Sequence, residues 1–245
     1  MRKRDYESSN KFGLKVGSIV STNISGDAQI LELRSPKDVV IKFLDTGNKR
    51  VCEAGCLFRG QVKDLIYGRG YQDVAPTKDP LTGKVHKAYD CWRRMLHRTH
   101  ESWWEIHPTY EGTTLCEDWF SYDTFFEWYS ENCPDSSWDL DKDLLSTDGL
   151  RYSPSTCCFL PEVVNKALVF KDVKACFKRG RYELYFRGKY VTSSKEVVIL
   201  KNVYAECKNN YVRSLADNHP FTPAVRDALL RYTLTVEDGV VRRLA

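Results

Sequence analysis

Residues 139–165 read DLDKDLLSTDGLRYSPSTCCFLPEVVN, and the order of signals in them decides the architecture of the middle of the chain. WDLDKDLL, from Trp138, alternates apolar and charged positions, the pattern of a half-buried strand. STDGL supplies a turn, TCCFL a second strand and PEVVNKAL a helix. The predicted order is strand, turn, strand, helix, with Asp139, Asp141 and Asp143 set around Lys142. A solvated edge strand with Leu140 and Leu144 pointing inward gives the same alternation, so the neighbouring segments have to carry the reading further.

Upstream, residues 13–63 predict a small β module. DVVIKF and KRVCEA flank LDTGN, whose Asp-Thr-Gly-Asn suits a hairpin turn, and KVGSIVSTN, AQILELR and LFRGQVKD supply further strand-like segments. Lys42, Lys49, Arg50 and Arg59 are candidate phosphate contacts there. The Gly/Pro-rich run YGRGYQDVAPTKDPLTGKVH ends the module near residue 70 and reads as a linker over 71–86. KAYDCWRRMLHRTH then predicts a helix with Trp92 and Met95 packed inward and Arg93 and Arg94 free to meet phosphate. SYDTFFEWYSEN predicts a second helix, capped by Ser121 or Asp123, that shares Phe125, Trp128 and Tyr129 on one face.

The net charge of +4 conceals a pattern. Residues 1–75 carry 13 Lys+Arg against 9 Asp+Glu, 76–160 carry 8 against 15, and 161–245 carry 16 against 9. Basic arms around an acidic middle suit a polyanionic partner when the acidic part holds a cation. The nine cysteines form no even framework, so reduced thiols are expected. Cys52 and Cys56 are spaced C-x3-C with no second pair behind them, and structural zinc is not expected. No apolar run nears the roughly 20 residues that span a bilayer. The start MRKRDYESSNKFG lacks the apolar stretch of a signal peptide, and the expected location is the cytoplasm.

The ordered landmarks YDCWRRMLHR, PTYEGTTLCEDWFSYDTFFEWYSEN, LDKDLL and YSPSTCCFLPEVVN resemble the HNH-type, homing-like endonucleases of bacteriophages. The resemblance covers roughly residues 86–168. It implies a ββα-metal domain over 87–170, in which a hairpin and a helix clasp one Mg²⁺ or Mn²⁺ against the scissile phosphate. It also implies Asp141 and Asn165 as metal ligands, Lys142 at the position of the water-activating histidine, and Thr156 near an asparagine that orients that base. Lysine side chains are cations at neutral pH and poor bases unless burial or neighbouring cations intervene. Lys142 therefore suits holding a phosphate better than abstracting a proton. Phage origin would place the protein in the host bacterial cytoplasm.

Residues 171–245 resemble a diverged APETALA2-type DNA-binding domain, which implies a three-stranded antiparallel sheet in the major groove, braced by a helix. The strand candidates are KACFKRGRYELYF, splitting around Gly180, then GKYVTS and EVVIL. Basic and aromatic residues interleave as Lys178, Arg179, Arg181, Tyr182, Tyr185, Arg187 and Lys189, the alternation a DNA-facing sheet requires. KNVYAECKNNYVRSLADN carries a packing stripe, and TPAVRDALLRYTL predicts a closing helix with Thr222 as cap and Pro223 in its first turn.

The sequence thus predicts an α+β protein with a β-rich N-terminal module, a ββα-metal nuclease-like domain, and a C-terminal sheet with helices. The expected function is metal-dependent nicking or cutting of double-stranded DNA. The alternative is a catalytically silent DNA-binding or regulatory protein, with a host protein as a further partner class.

Overall fold

The turn at Asp45–Asn48 forms as predicted: the Phe43 amide donates to the Asn48 carbonyl, and Gly47 takes the left-handed conformation (φ 76°) that glycine adopts without a Cβ clash. It joins two strands of an antiparallel sheet ordered β1 (Ile19–Ser21), β2 (Asp27–Ser35), β3 (Asp38–Phe43), β4 (Lys49–Cys52). The computed structural model describes residues 10–73, 75–170, 176–178 and 180–244. Helices and strands both contribute, and the fold is α+β. The chain divides into two compact units, 1–131 and 132–245, so the break falls inside the 87–170 span.

In the first unit, period-2 alternation places Ala28, Ile30, Val39, Ile41 and Phe43 on one face of the sheet, where they are buried with Ala54, Leu57 and Val62. Ala54 and Leu57 belong to a one-and-a-half-turn helix, α1 (Ala54–Phe58). LFRGQVKD, expected as a strand, instead begins in that helix and runs on without sheet pairing. α2 (Lys87–Arg98) buries Trp92, Met95 and Leu96, as its spacing predicts. Four short pieces follow, α3 (Glu101–Trp104), a 3-10 turn (Pro108–Tyr110), β5 (Thr114–Leu115) and a second 3-10 turn (Glu117–Phe120), before α4 (Tyr122–Asn132). Trp92 donates its indole N–H to the Trp119 carbonyl at 2.8 Å, and Trp119 packs edge-on against Phe125.

The 71–86 segment is pinned to this core rather than left as a free linker. The Asp123 carboxylate accepts the backbone amides of Asp73 (2.7 Å) and Ala75 (2.8 Å), and the Tyr122 hydroxyl donates to the Pro76 carbonyl (2.8 Å). At the start of α4 it is Ser121 whose hydroxyl accepts the Thr124 amide, at 3.3 Å.

In the second unit, β6 (Asp139–Asp141), β7 (Arg151–Tyr152), β8 (Cys158–Leu160) and α5 (Glu162–Leu168) follow in the predicted order, and β6 pairs antiparallel with β8 through Asp141 opposite Cys158. β9 (Cys176–Lys178), β10 (Arg181–Phe186) and β11 (Lys189–Ser194) form a three-stranded antiparallel sheet in the order β11-β10-β9. The expected split at Gly180 occurs, and it supplies the first strand of the three. EVVIL, expected as the last strand, is the opening of a long helix, α6 (Val197–Ser214). Its β-branched run favours a strand, but helical spacing buries Leu200 with Ala205 and Val212, and that packing outweighs local preference.

Thr222 caps α7 (Pro223–Arg231) by accepting the Val225 amide. The chain then forms a hairpin, β12 (Leu234–Glu237) and β13 (Val240–Arg243), whose turn residues Asp238 and Gly239 both have positive φ. The core of this unit joins Leu144, Leu160 and Val164 to Ala205, Val212, Leu229, Leu234 and Val241. Asn209 on α6 fastens β12, accepting the Leu234 amide at 2.6 Å and donating to its carbonyl at 3.1 Å. Among the described residues, no helix is long and apolar enough to cross a membrane.

Candidate functional site

Asp141 ends β6 and is 8% exposed. Its Oδ1 accepts the amides of Asp143 (3.0 Å) and Leu144 (2.7 Å), so the carboxylate shapes the turn that follows the strand. Burial raises its pKa, those two amides oppose the rise, and the neighbouring Asp143 charge adds to it. Arg243 on β13 braces the same turn from outside: its guanidinium donates to the Asp143 carbonyl (2.9 Å) and the Leu144 carbonyl (3.0 Å) and lies over the Tyr232 ring.

Lys142 turns into the loop that β6 opens. Its side chain is only 12% exposed, and the ammonium donates to Asp143 Oδ1 at 2.6 Å and to the Gly149 carbonyl, with the Tyr152 ring 5.8 Å away. Gly149 has φ 65°, and a Cβ there would meet Asp143 Oδ1 at 2.7 Å, so a glycine is required where the loop closes over the lysine. A cation that already serves carbonyl and carboxylate acceptors is a pin for the hairpin. Thr156 is also spent locally: its hydroxyl donates to the Arg151 carbonyl (2.7 Å) and meets Ser153 Oγ at 2.9 Å.

Asn165 is half-buried on α5, which packs beside β6. Among the described residues, no group of three or more His, Cys, Asp or Glu side chains is placed to share a metal ion. Mg²⁺ is commonly held by one or two carboxylates and completed by water and substrate phosphate. Asp141 Oδ1 is already engaged by its two turn amides, and Asn165 stands on α5.

The β9–β11 sheet has one face covered by α6 and, among the described residues, one open. Leu184 is buried, and Phe186 packs edge-on against Tyr204 and Tyr211 of α6. On the open face a register shift between Leu184 and Tyr185 sets Tyr185 opposite Tyr190, with ring centroids 5.7 Å apart. Both tyrosines are about half exposed. Tyr185 donates to Glu183, and Arg181 is exposed while donating to the Ser193 carbonyl at 3.1 Å. Lys189 is exposed at the β11 start.

Arg187, expected on the DNA side, occupies a positive-φ turn position and stacks over the Tyr211 ring at 4.0 Å. The backbone of Lys178 pairs with Arg181; Arg179 lies outside the described residues.

The basic residues proposed for the first unit disperse. Lys42 is exposed on β3, Lys49 pairs with Asp73 at 3.1 Å, and Arg94 pairs with Asp90 at 2.8 Å. Arg50 turns inward, where its guanidinium donates to the Lys63 carbonyl. Burial lowers its pKa; Tyr89 and Cys52 oppose that, and the like charge of Arg93 reinforces it. Arg93 is exposed over the Tyr89 ring at 5.8 Å.

Sequence reading missed Arg243, Gly149 and Tyr152 as parts of the hairpin site. Gly149 in the sequence STDGL was the visible signal; Arg243 had none, because its contact spans 100 positions. No known family model matches this chain, nor does any curated protein or solved structure.

Proposed function

We propose that the protein binds double-stranded DNA through the open face of the β9–β11 sheet. The observation that carries this reading is the exposure of Arg181, Tyr185 and Tyr190 on the sheet face opposite the one that α6 covers, with Lys189 exposed at the start of β11. The major groove accommodates a β-ribbon, and guanidinium and ammonium groups on it meet phosphates or guanine edges. The engagement of Lys142 inside its own loop supports a scaffold role for the 139–165 hairpin and helix. This is the catalytically silent form of an endonuclease-like architecture.

The second reading is metal-dependent phosphodiester hydrolysis by an HNH-type endonuclease, and the buried, charge-costly Asp141 carboxylate favours it. Asp141 and Asn165 would hold Mg²⁺ or Mn²⁺, which when bound supplies an activated water and charge stabilisation on the phosphate. Lys142 in that case orients the hairpin.

Gel-shift titration of a duplex at several salt concentrations tests the first reading. Arg181→Gln should weaken binding and reduce the log–log salt slope by about one. Absence of salt-sensitive duplex binding by the wild-type protein would refute it. Supercoiled plasmid incubated with Mg²⁺, Mn²⁺ or EDTA separates the two readings: metal-dependent nicking that Asp141→Ala abolishes establishes hydrolysis, and binding without nicking establishes the silent form.

A further inference from the structure

Within the first unit, a cleft of about 700 Å³ opens between β4, the 61–68 segment and α2. Its volume falls in the range typical of small-molecule sites, roughly 300–1,000 Å³. Arg50, Lys63 and Arg93 line it, against a single lining carboxylate, Glu53. Glu53 is exposed, and no ion pair with Arg50 or Arg93 occurs among the described residues. Asp64, whose charge also bears on Arg50, has its oxygens taken by Thr46 (2.7 Å) and Asn48 (3.0 Å). The half-buried Arg50, which donates to the Lys63 carbonyl, and the exposed Arg93 share the cleft, and among the described residues no carboxylate is ion-paired to either. The loss of hydration that lowers the Arg50 pKa acts in the same sense, since a bound anion would relieve it.

Two rings complete the cleft. Tyr89 stands beside both arginines, half-buried against Trp92 and Tyr122. Tyr67 lies stacked on His97, with centroids 4.7 Å apart and planes 11° from parallel. Its φ of 51° is a left-handed conformation uncommon for a tyrosine, and such strained positions concentrate at ligand sites.

We infer that this cleft binds a nucleotide-sized ligand, with a terminal phosphate held by Arg50 and Arg93 and a planar ring set beside Tyr67 and Tyr89. Guanidinium pairs match the oxygens of a phosphomonoester, and tyrosine faces accept a base without reading its identity. The cleft is lined by first-unit residues, and the inference does not depend on the DNA reading.

Isothermal titration of the full-length protein with a 5′-nucleoside monophosphate, the matching nucleoside and inorganic phosphate tests the inference. The monophosphate should bind tighter than inorganic phosphate, and the nucleoside should be weakest. Arg50→Gln and Arg93→Gln should each weaken the monophosphate by about tenfold to a hundredfold, the value of a charge-assisted hydrogen bond. A thermal melt of each variant checks that it is folded. Should Arg50→Gln fail that check, Arg50→Lys, which keeps the charge and loses the two-pronged geometry, should still weaken binding. Equal affinity for monophosphate and nucleoside, or unchanged affinity in folded Arg50 and Arg93 variants, would overturn the assignment. So would displacement of the monophosphate by saturating duplex DNA, which would make the cleft part of a DNA path.

Discussion

Lys142→Met should destabilise the second unit and leave the chemistry of any site unaltered. The substitution removes a charged donor from the Gly149 carbonyl, a contact worth about 1.5–3 kcal/mol. It also removes the ion pair with Asp143, worth about 0–1 kcal/mol because Asp143 is 56% exposed and screened by solvent. The Tyr152 ring, 5.8 Å from the ammonium, adds roughly 0.5–1 kcal/mol. Against these stands the relief of no longer stripping water from an ammonium that is 12% exposed.

The net expected loss is about 2 kcal/mol, which at a urea slope of about 2 kcal/mol/M moves the midpoint down by about 1 M. Urea unfolding followed by far-ultraviolet circular dichroism measures this. An unchanged midpoint together with loss of metal-dependent plasmid nicking would refute the reasoning, because it would mean that the ammonium serves the reaction rather than the hairpin.

Three further outcomes follow from the same structure. Asp141 has a folded pKa above its unfolded value, so its contribution to stability is full below about pH 4 and is lost as pH rises through the folded value. Asp141→Asn, which keeps the acceptor for the two turn amides, should flatten that dependence and match or exceed the wild type at pH 7.5, whereas Asp141→Ala should cost about 1 kcal/mol there; urea melts at pH 4 and 7.5 decide. Gly70→Ala should cost about 1–3 kcal/mol in the first unit, because its Cβ would stand 2.3 Å from Leu96 Cδ1 and 3.0 Å from the Trp92 ring; a denaturant midpoint equal to wild type would show that the neighbours yield. Trp92→Phe should cost about 1–3 kcal/mol by leaving the Trp119 carbonyl without its donor in the core, measurable by the same titration.

The parts of the fold legible in the sequence were those governed by local rules. The Asp-Thr-Gly-Asn turn, the Trp92–Met95 core stripe, the Thr222 cap and the split at Gly180 each follow from residues within a few positions of one another. EVVIL misled because β-branched residues favour strands until a buried helical face outweighs them. The 71–86 segment misled because Gly and Pro mark turns but carry no sign of the Asp123 carboxylate that fastens it from about 50 positions on. The β12–β13 hairpin was legible in VEDGVV, where Asp-Gly flanked by valines is a strong turn signal, and it went unread.

At the candidate site the sequence marked Asp141, Lys142, Thr156 and Asn165. Hydrogen-bond partners then separate them: Lys142 and Thr156 close loops, Asp141 shapes a turn, and Asn165 stands on the helix beside it. None of that allocation can be read from residue types, since the Gly149 and Arg151 carbonyls that engage two of them are backbone groups common to every residue.

The Arg243 brace has a consequence for the order of events during synthesis. The carbonyls of Asp143 and Leu144 receive their guanidinium from a residue 100 and 99 positions further along the chain. At about 5–20 residues per second on the ribosome, some 5–20 s separate the emergence of the hairpin from that of its brace. During that interval the turn holding Asp141 relies on local contacts, its own two amides and the Lys142 ammonium. The turn after β6 is thus late to set, and a nascent chain presents it in final form only after the β12–β13 hairpin has left the ribosome and folded.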